Sequence, residues 1–580
     1  MVLLALTLAL VIACGGAPAA PDPTATSPAA PASDAAPTTA PTAPVASDTA
    51  QPTSTPQMAA PPAEVEVNPG KLSIMVGDFG NERFDNALTQ VPTGGHNYAR
   101  IVGGFLISTN ERTEMIPGIA SQWGISADGL TWTFTIREGV KWHDGSELVR
   151  EDVLWTLQHT FGPQAVEYST NNTVAAVSRA MNKIELSGPD TVSLTTKEPV
   201  THLALIVSEA GASSWFQVMP KRATLHDTEA EAAYDNNPIG AGPMSLEEHI
   251  SAQMMRFERF DDFYYQPDNG FPEDKRIKVQ SLDLHLIPEE ATRVAALRSG
   301  EADIVPASLV TKDQVEAGGG RLVFGPEGVY VWVRLYGCFE PQHSCHDKRV
   351  RQALDYAINK ELLRDQLYGG PEVFQTKGWG VATPSTIGYT PALDPWPFDP
   401  EKARQLLADA GYPGGEGFGK LIVNTFPSTS MPFQVEAAQL AADLWRRELG
   451  IDVEVRVGES TGVKEKEVAG ELNGQVIWRD NETRTDAANV LVTNYGDPKG
   501  SNRLHEDPEI FHLVQETLQI VDPDKRAEAS KKLFPRLREE TYELGIGYVN
   551  IPWGVGPRVV TWEPYPLAVY PSALHTITLK

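Results

Sequence analysis

From Ala17 to about Pro62 the chain is almost entirely Ala, Pro, Thr and Ser, with isolated Asp22, Asp34 and Asp48 and no basic residue before Lys71. Such a stretch cannot bury enough apolar surface to offset the entropy of ordering it, and its prolines favour extended, polyproline-like backbone. Residues 15–67 are therefore read as a tether. The foldable part begins near Gly70, and about 510 of the 580 residues remain for it. At roughly 150 residues per domain the whole length suggests about four domains, a prior that the tether lowers.

Ahead of the tether stands an apolar run, Val2-Leu3-Leu4-Ala5-Leu6 continued by Leu8 to Ala13. It is too short to span a bilayer and has the length of a signal-peptide h-region. It ends in Val11-Ile12-Ala13-Cys14-Gly15, which resembles a bacterial lipobox, in which the Cys is lipidated and heads the mature protein. Residues 1–14 are thus expected to be a lipoprotein signal peptide, with Cys14 as the lipidation site and the membrane reached through that lipid. No Lys or Arg precedes the h-region, so the true translation start is expected upstream.

The charge balance is 48 Lys+Arg against 76 Asp+Glu, a formal −28. This argues against nucleic-acid binding, which needs clustered cations, and against a polybasic membrane-surface protein. The three cysteines form no C-x-x-C pair, so neither structural zinc nor covalent haem has obvious ligands. No cofactor and no metal are expected.

Beyond the tether, strand and helix signals alternate. Thr131 to Ile136 is β-branched or aromatic throughout and follows the turn signal at Asp128-Gly129, hence a strand. Glu151 to His159 reads as a short helix. Asp347 caps a helix whose apolar face is Val350, Ala353, Leu354, Ala357 and Ile358. Asp399-Pro400 starts another that stops at Gly411, and a longer helix from about Phe433 ends at Gly450. Ile451 to Val457 alternates and is predicted to be a half-buried strand. The fold class is α/β.

Met115 to Trp123, Ala127 to Phe134 and Arg137 to Gly145 resemble the signature of family 5 extracellular solute-binding proteins, the oligopeptide, dipeptide and nickel-chelate receptors of ABC importers. Further blocks follow in the family's order: Pro238 to Pro243, Ile287 to Arg293 with Leu297 to Asp303, Val350 to Lys360, and Phe398 to Ala403 with Ala410 to Pro413. The resemblance implies a two-lobe, clam-like periplasmic-binding-protein fold of type II, in the large cluster with an inserted subdomain. Lobe I is expected over 68–325 with the subdomain at about 101–218, lobe II over 326–545, and a return to lobe I over 546–580. The crossings are expected near Gly328-Val329-Tyr330 and Gly545 to Tyr548, where glycine eases hinge rotation.

The resemblance also nominates ligand-facing residues. Gly103, Gly104 and Phe105 occupy the position of a loop that lines the family's cleft, with Gly103 where an acidic residue is common. Tyr330, Trp332, Arg334 and Tyr336 alternate along a predicted strand and share one face. That face is read either as π surface and a cation for the solute or as lobe core, although an unpaired buried Arg334 would be costly. Trp478 matches a Trp in the second lobe. Asp480, with Asp486 second, is the nearest candidate for pairing with a peptide ammonium, against the alternative of a solvated charged loop. Cys338 and Cys345 are read as a small-loop disulfide, with a metal site using His343 and His346 as the alternative.

The function so implied is capture of peptides between two lobes and delivery to an ABC permease and ATPase. The protein is expected to be a monomer, lipid-anchored at the outer face of the cytoplasmic membrane or in the periplasmic space. Oligosaccharide or metal-chelate binding is the alternative, and a secreted hydrolase a remote one. Gly458-Glu459-Ser460-Thr461-Gly462 does match G-x-S-x-G, but the strand before it carries Asp452, Glu454 and Arg456 on one face, unlike the buried central strand of a nucleophile elbow. Gly414 to Lys420 approaches a Walker A loop but has Leu421 where Ser or Thr would hold magnesium.

Overall fold

The computed structural model describes residues 70–88, 97–169, 172–209, 216–221, 228–428, 430–496 and 503–580. The h-region, Cys14 and the Ala/Pro/Thr tether lie outside them. Along the chain come strand β1 (Lys71–Val76), helix α1 (Asn97–Val102), β2 (Ala120–Ile125), β3 (Thr131–Ile136), α2 (Arg150–Phe161), β4 (Met181–Leu186) and β5 (Thr191–Thr196). Then follow β6 (Met244–Ile250), β7 (Met254–Arg259), β8 (Ser281–Leu286), α3 (Glu290–Ser299), β9 (Ile304–Pro306) and the long β10 (Arg321–Tyr336). The remainder supplies α4 (Lys348–Tyr356), α5 (Pro400–Asp409), β11 (Lys420–Thr425), α6 (Gln434–Leu449), β12 (Asp452–Val457), α7 (Ser460–Val468), β13 (Gln475–Glu482), α8 (Pro508–Gln519), α9 (Pro523–Glu540) and β14 (Tyr548–Val555).

Local chemistry sets many of these boundaries. The Asp347 carboxylate accepts from the Arg349 N–H at 2.8 Å and that of Asp399 from the Lys402 N–H at 2.9 Å, each satisfying an orphan donor of a first turn. α6 stops at Gly450, whose φ of 71° and close approach to the Gly414 carbonyl, 2.4 Å from where a Cβ would stand, leave room only for glycine.

Among the described residues one twelve-stranded sheet runs in the order β12-β11-β13-β10-β14-β9-β1-β8-β7-β6, with short strands at 374–375 and 543–544 beside it. β10 and β14 hold its two halves together. Arg321 to Gly325 of β10 pair with Ile551 to Val555, whereas Val329 to Tyr336 pair with β13, and the register slips between Gly325 and Val329. Glu327 sits in that slip with φ of 52°, and its N–H donates to Asn550 Oδ1 at 2.9 Å. A separate four-stranded antiparallel sheet, β2-β3-β5-β4, closes its own core around Trp132, Phe134, Trp142 and Phe161.

Within the second half the alternation of β10 and β13 divides two cores. Val331, Val333, Leu335, Val476 and Trp478 pack on one face with α4 and α6. Tyr330, Trp332, Tyr336 and Ile477 pack on the other, against α8 and α9. β12 lies at the sheet's outer edge, so Ser460, which opens α7 after it, does not follow a central strand. His143 ties two of the sequence blocks together: its Nε2 bonds the Gly242 carbonyl at 3.1 Å and its Nδ1 accepts from Gly240 N–H at 3.3 Å. Burial pushes its pKa down to about 4, so it serves as a neutral clamp.

Candidate functional site

β1, β8 and β9 are parallel, and their carboxyl ends open on a crevice, the usual place for a ligand in such sheets. A cavity of about 280 Å³ lies there. Gly77, Arg293 and Trp553 from the first half line it, facing Ser428, Ser430 and Pro432 from the second. A smaller cavity of about 90 Å³ sits behind α1, walled by Arg100, Glu209, Lys275, Tyr565 and Tyr570.

Gly103 and Phe105 line this smaller cavity. A Cβ at Gly103 would stand 2.4 Å from Gln217 Oε1 and 2.7 Å from the Ala99 carbonyl, so the acidic residue common at this position in the family has no room here. Gly104 accepts from the Val218 N–H at 2.8 Å and packs on Ile119 and Ala241.

The stripe on β10 is lobe interior. Tyr330, Trp332, Arg334 and Tyr336 are all buried, covered by the helices and loops of the second half. Of the two readings of this face the burial fits lobe core, and the cost of an unpaired Arg334 is met by Glu467 on α7. Its carboxylate lies 2.6 Å from Arg334 and 3.9 Å from Arg479, and Arg334 also stacks 3.9 Å over the Trp332 ring. The Arg334 pair is a charge contact without aligned N–H···O geometry. Trp478 is fully buried on the opposite face, paired across the strands with Val333.

Asp480 is buried on that same face and accepts from Ser428 Oγ at 3.1 Å and Ser430 Oγ at 2.5 Å. Those two serines line the larger cavity, so the carboxylate stands behind their hydroxyls. Asp486 pairs with Arg526 at 2.6 Å. Cys338 and Cys345 are joined as a disulfide with their Cα atoms 5.2 Å apart, which removes both thiolates from any metal site, and His343 bonds Glu340 at 3.0 Å.

Sequence reasoning did not single out the charged groups that wall the small cavity, or Glu482, on which Arg100 acts from the other half. Arg100 of α1 donates to the Glu209 carbonyl at 2.9 Å and stacks 4.2 Å over Tyr570. The Glu209 carboxylate accepts from Ser108 Oγ at 2.8 Å and is held below the usual carboxylate range: burial opposes this, but Lys275, Arg100 and its hydrogen bonds prevail. From the second half comes Glu482, the last residue of β13, pushed up to about 7 by burial against the opposing pull of Arg484 and Arg100. The only local signal for Glu482 is its place at a strand end. Arg100 heads the segment, through Leu106, that the resemblance places at the cleft-lining loop, whereas Tyr570 lies far along the sequence and carries no such signal.

A family model for bacterial extracellular solute-binding proteins, family 5 (middle region), matches residues 114–502. The glutathione-binding protein GsiB of Salmonella paratyphi A is 28% identical over 426 residues, which cover 71% of this chain and 77% of that protein. Of other Salmonella proteins of the same name the chain spans 53 to 64%. Among solved structures, DppA of Helicobacter pylori in complex with the peptide STSA superposes with a TM-score of 0.69 at 20% identity, covering 88% of this chain and 98% of that one. NikZ of Campylobacter jejuni in complex with Ni(L-His) gives 0.70 at 16%, covering 88% and 100%. These likenesses establish the two-lobed, type II fold of periplasmic binding proteins. With more than half of its length matched by the family model, the chain belongs to the family 5 bacterial extracellular solute-binding proteins.

Proposed function

We propose that the protein captures a short peptide or a similar amino-acid-derived zwitterion between its two lobes and delivers it to an ABC permease for import, without catalysing a reaction. One observation carries this reading: Arg100 of the first half lies within electrostatic reach of Glu482 of the second, which also has Arg484 beside it, so opposite charges stand across the boundary. Opposite charges on facing walls suit a ligand with an ammonium and a carboxylate, whose charges are desolvated together as the walls close. The names of the relatives agree with that chemistry, since glutathione, a peptide and histidine all carry both groups.

The lobes are taken to meet where β10 and β14 change partners, close to 326 and 546, with the inserted portion at about 101–218. Cys14 is taken to carry the lipid that holds the protein at the outer face of the membrane. Calorimetric titration with reduced glutathione, tri-alanine, Ni(L-His) and maltotriose tests the solute class. Binding of the first two and not of the sugar is expected; binding of the sugar alone overturns the reading. Incorporation of a labelled lipid precursor, abolished by Cys14→Ser, tests the anchor.

A further inference from the structure

The portion built on β2 to β5 touches the second half along one strip that lies on neither crossing strand. Thr201 Oγ1 donates to the Leu518 carbonyl at 2.5 Å. Arg526 of α9 donates through Nη1 to the Thr201 carbonyl at 3.5 Å and through Nη2 to Asp486 Oδ2 at 2.6 Å. The hydroxyls of Thr113 and Thr485 lie 3.5 Å apart, and a Cβ on Gly129 would be 3.3 Å from Val521 Cγ2, so the two surfaces are in contact there. Thr201 and Arg526 are both buried, and none of these residues lines either cavity.

We propose that Thr201, Arg526 and Asp486 form a clasp that holds the lobes closed and so positions them for solute, without touching it. Asp486 fixes the Arg526 fork within its own half, so the guanidinium is already aimed when the Thr201 carbonyl arrives and little freedom is lost on contact. Opening returns the Thr201 hydroxyl and the Leu518 carbonyl to water, so each bond favours closure only modestly. A group that biases the closed form without contacting solute changes the apparent affinity for every solute by one common factor, the change in the competent fraction. A residue on the solute changes different solutes unequally.

This inference rests on the capture reading, and its test separates the two. Small-angle scattering of the full chain without solute compares the parent with Thr201→Val, Arg526→Met and the double variant Arg526→Met/Asp486→Asn. The clasp predicts a larger radius of gyration for each variant, restored by saturating solute. It also predicts dissociation constants for glutathione and tri-alanine raised by the same factor, roughly fivefold to tenfold. Parent-like scattering in all three variants overturns it, as does an unequal loss between the two solutes. Thr201→Val keeps the side-chain shape and the Arg526–Asp486 pair, so it decides the matter even if Arg526→Met fails to fold. If neither solute binds the parent, the capture reading fails for these probes while the scattering still judges the clasp.

Discussion

The second half holds two buried guanidinium–carboxylate pairs at the same 2.6 Å separation, Arg334–Glu467 and Arg526–Asp486, and they sit in different surroundings. The first is sealed, with side chains 1% and 5% exposed, roofed by Trp332 and Tyr336 and answering only to its own lobe. The second, at 11% and 12%, lies on the boundary and reaches the Thr201 carbonyl of the other half. The comparison teaches that the separation of the charges does not define the role. A pair whose partners and walls share one rigid unit adds to that unit's stability, and a pair that also touches a second unit responds to where that unit stands.

Glu467→Gln gives the largest effect. The buried Arg334 loses its counter-charge, and the partly exposed Arg479 a second neighbour, a loss of about 3–5 kcal/mol. Denaturant unfolding should show it, while solute affinity of the folded fraction stays at the parent value; a parent-like midpoint would mean that the sealed pair carries no stability. Glu482, at the boundary, titrates instead. Its pKa in the folded protein is raised to about 7, so more protons are bound folded than unfolded. Its contribution is therefore fully present below the ordinary carboxyl range, near 4.5, and is lost as pH rises through about 7. At ~1.4 kcal/mol per pKa unit the loss is on the order of 3 kcal/mol. Melting curves from pH 4.5 to 7.5 should fall with pH in the parent and less steeply in Glu482→Gln; parallel curves would break the assignment. Asp399→Ala removes a helix cap remote from both pairs, with an expected loss of about 1 kcal/mol and unchanged scattering and affinity.

The sequence made the helix ends and the family blocks legible because their causes are local. Asp347 and Asp399 cap within three residues, and Gly450 ends α6 by its own backbone freedom. The β10 stripe was legible as one face, but which elements cover that face depends on α8 and α9, which follow more than a hundred residues later. Arg334 resisted reading for the same reason, since its counter-ion arrives on α7. The charges at the boundary were the least visible: Arg100 meets Tyr570 only after the whole sheet has assembled.

The position of β14 has a consequence for how the protein comes to be folded. This strand, Tyr548–Val555, is nearly the last to be made, yet it lies inside the sheet between β10 and β9 and bridges the two halves. Until it arrives, β10 and β9 present unpaired edges in the middle of the molecule. Closing a contact of such long sequence separation is slow, and the partly built sheet is open to misassociation. A chain truncated before residue 548 should therefore aggregate rather than yield two half-proteins, and refolding of the intact chain should be limited by docking of β14.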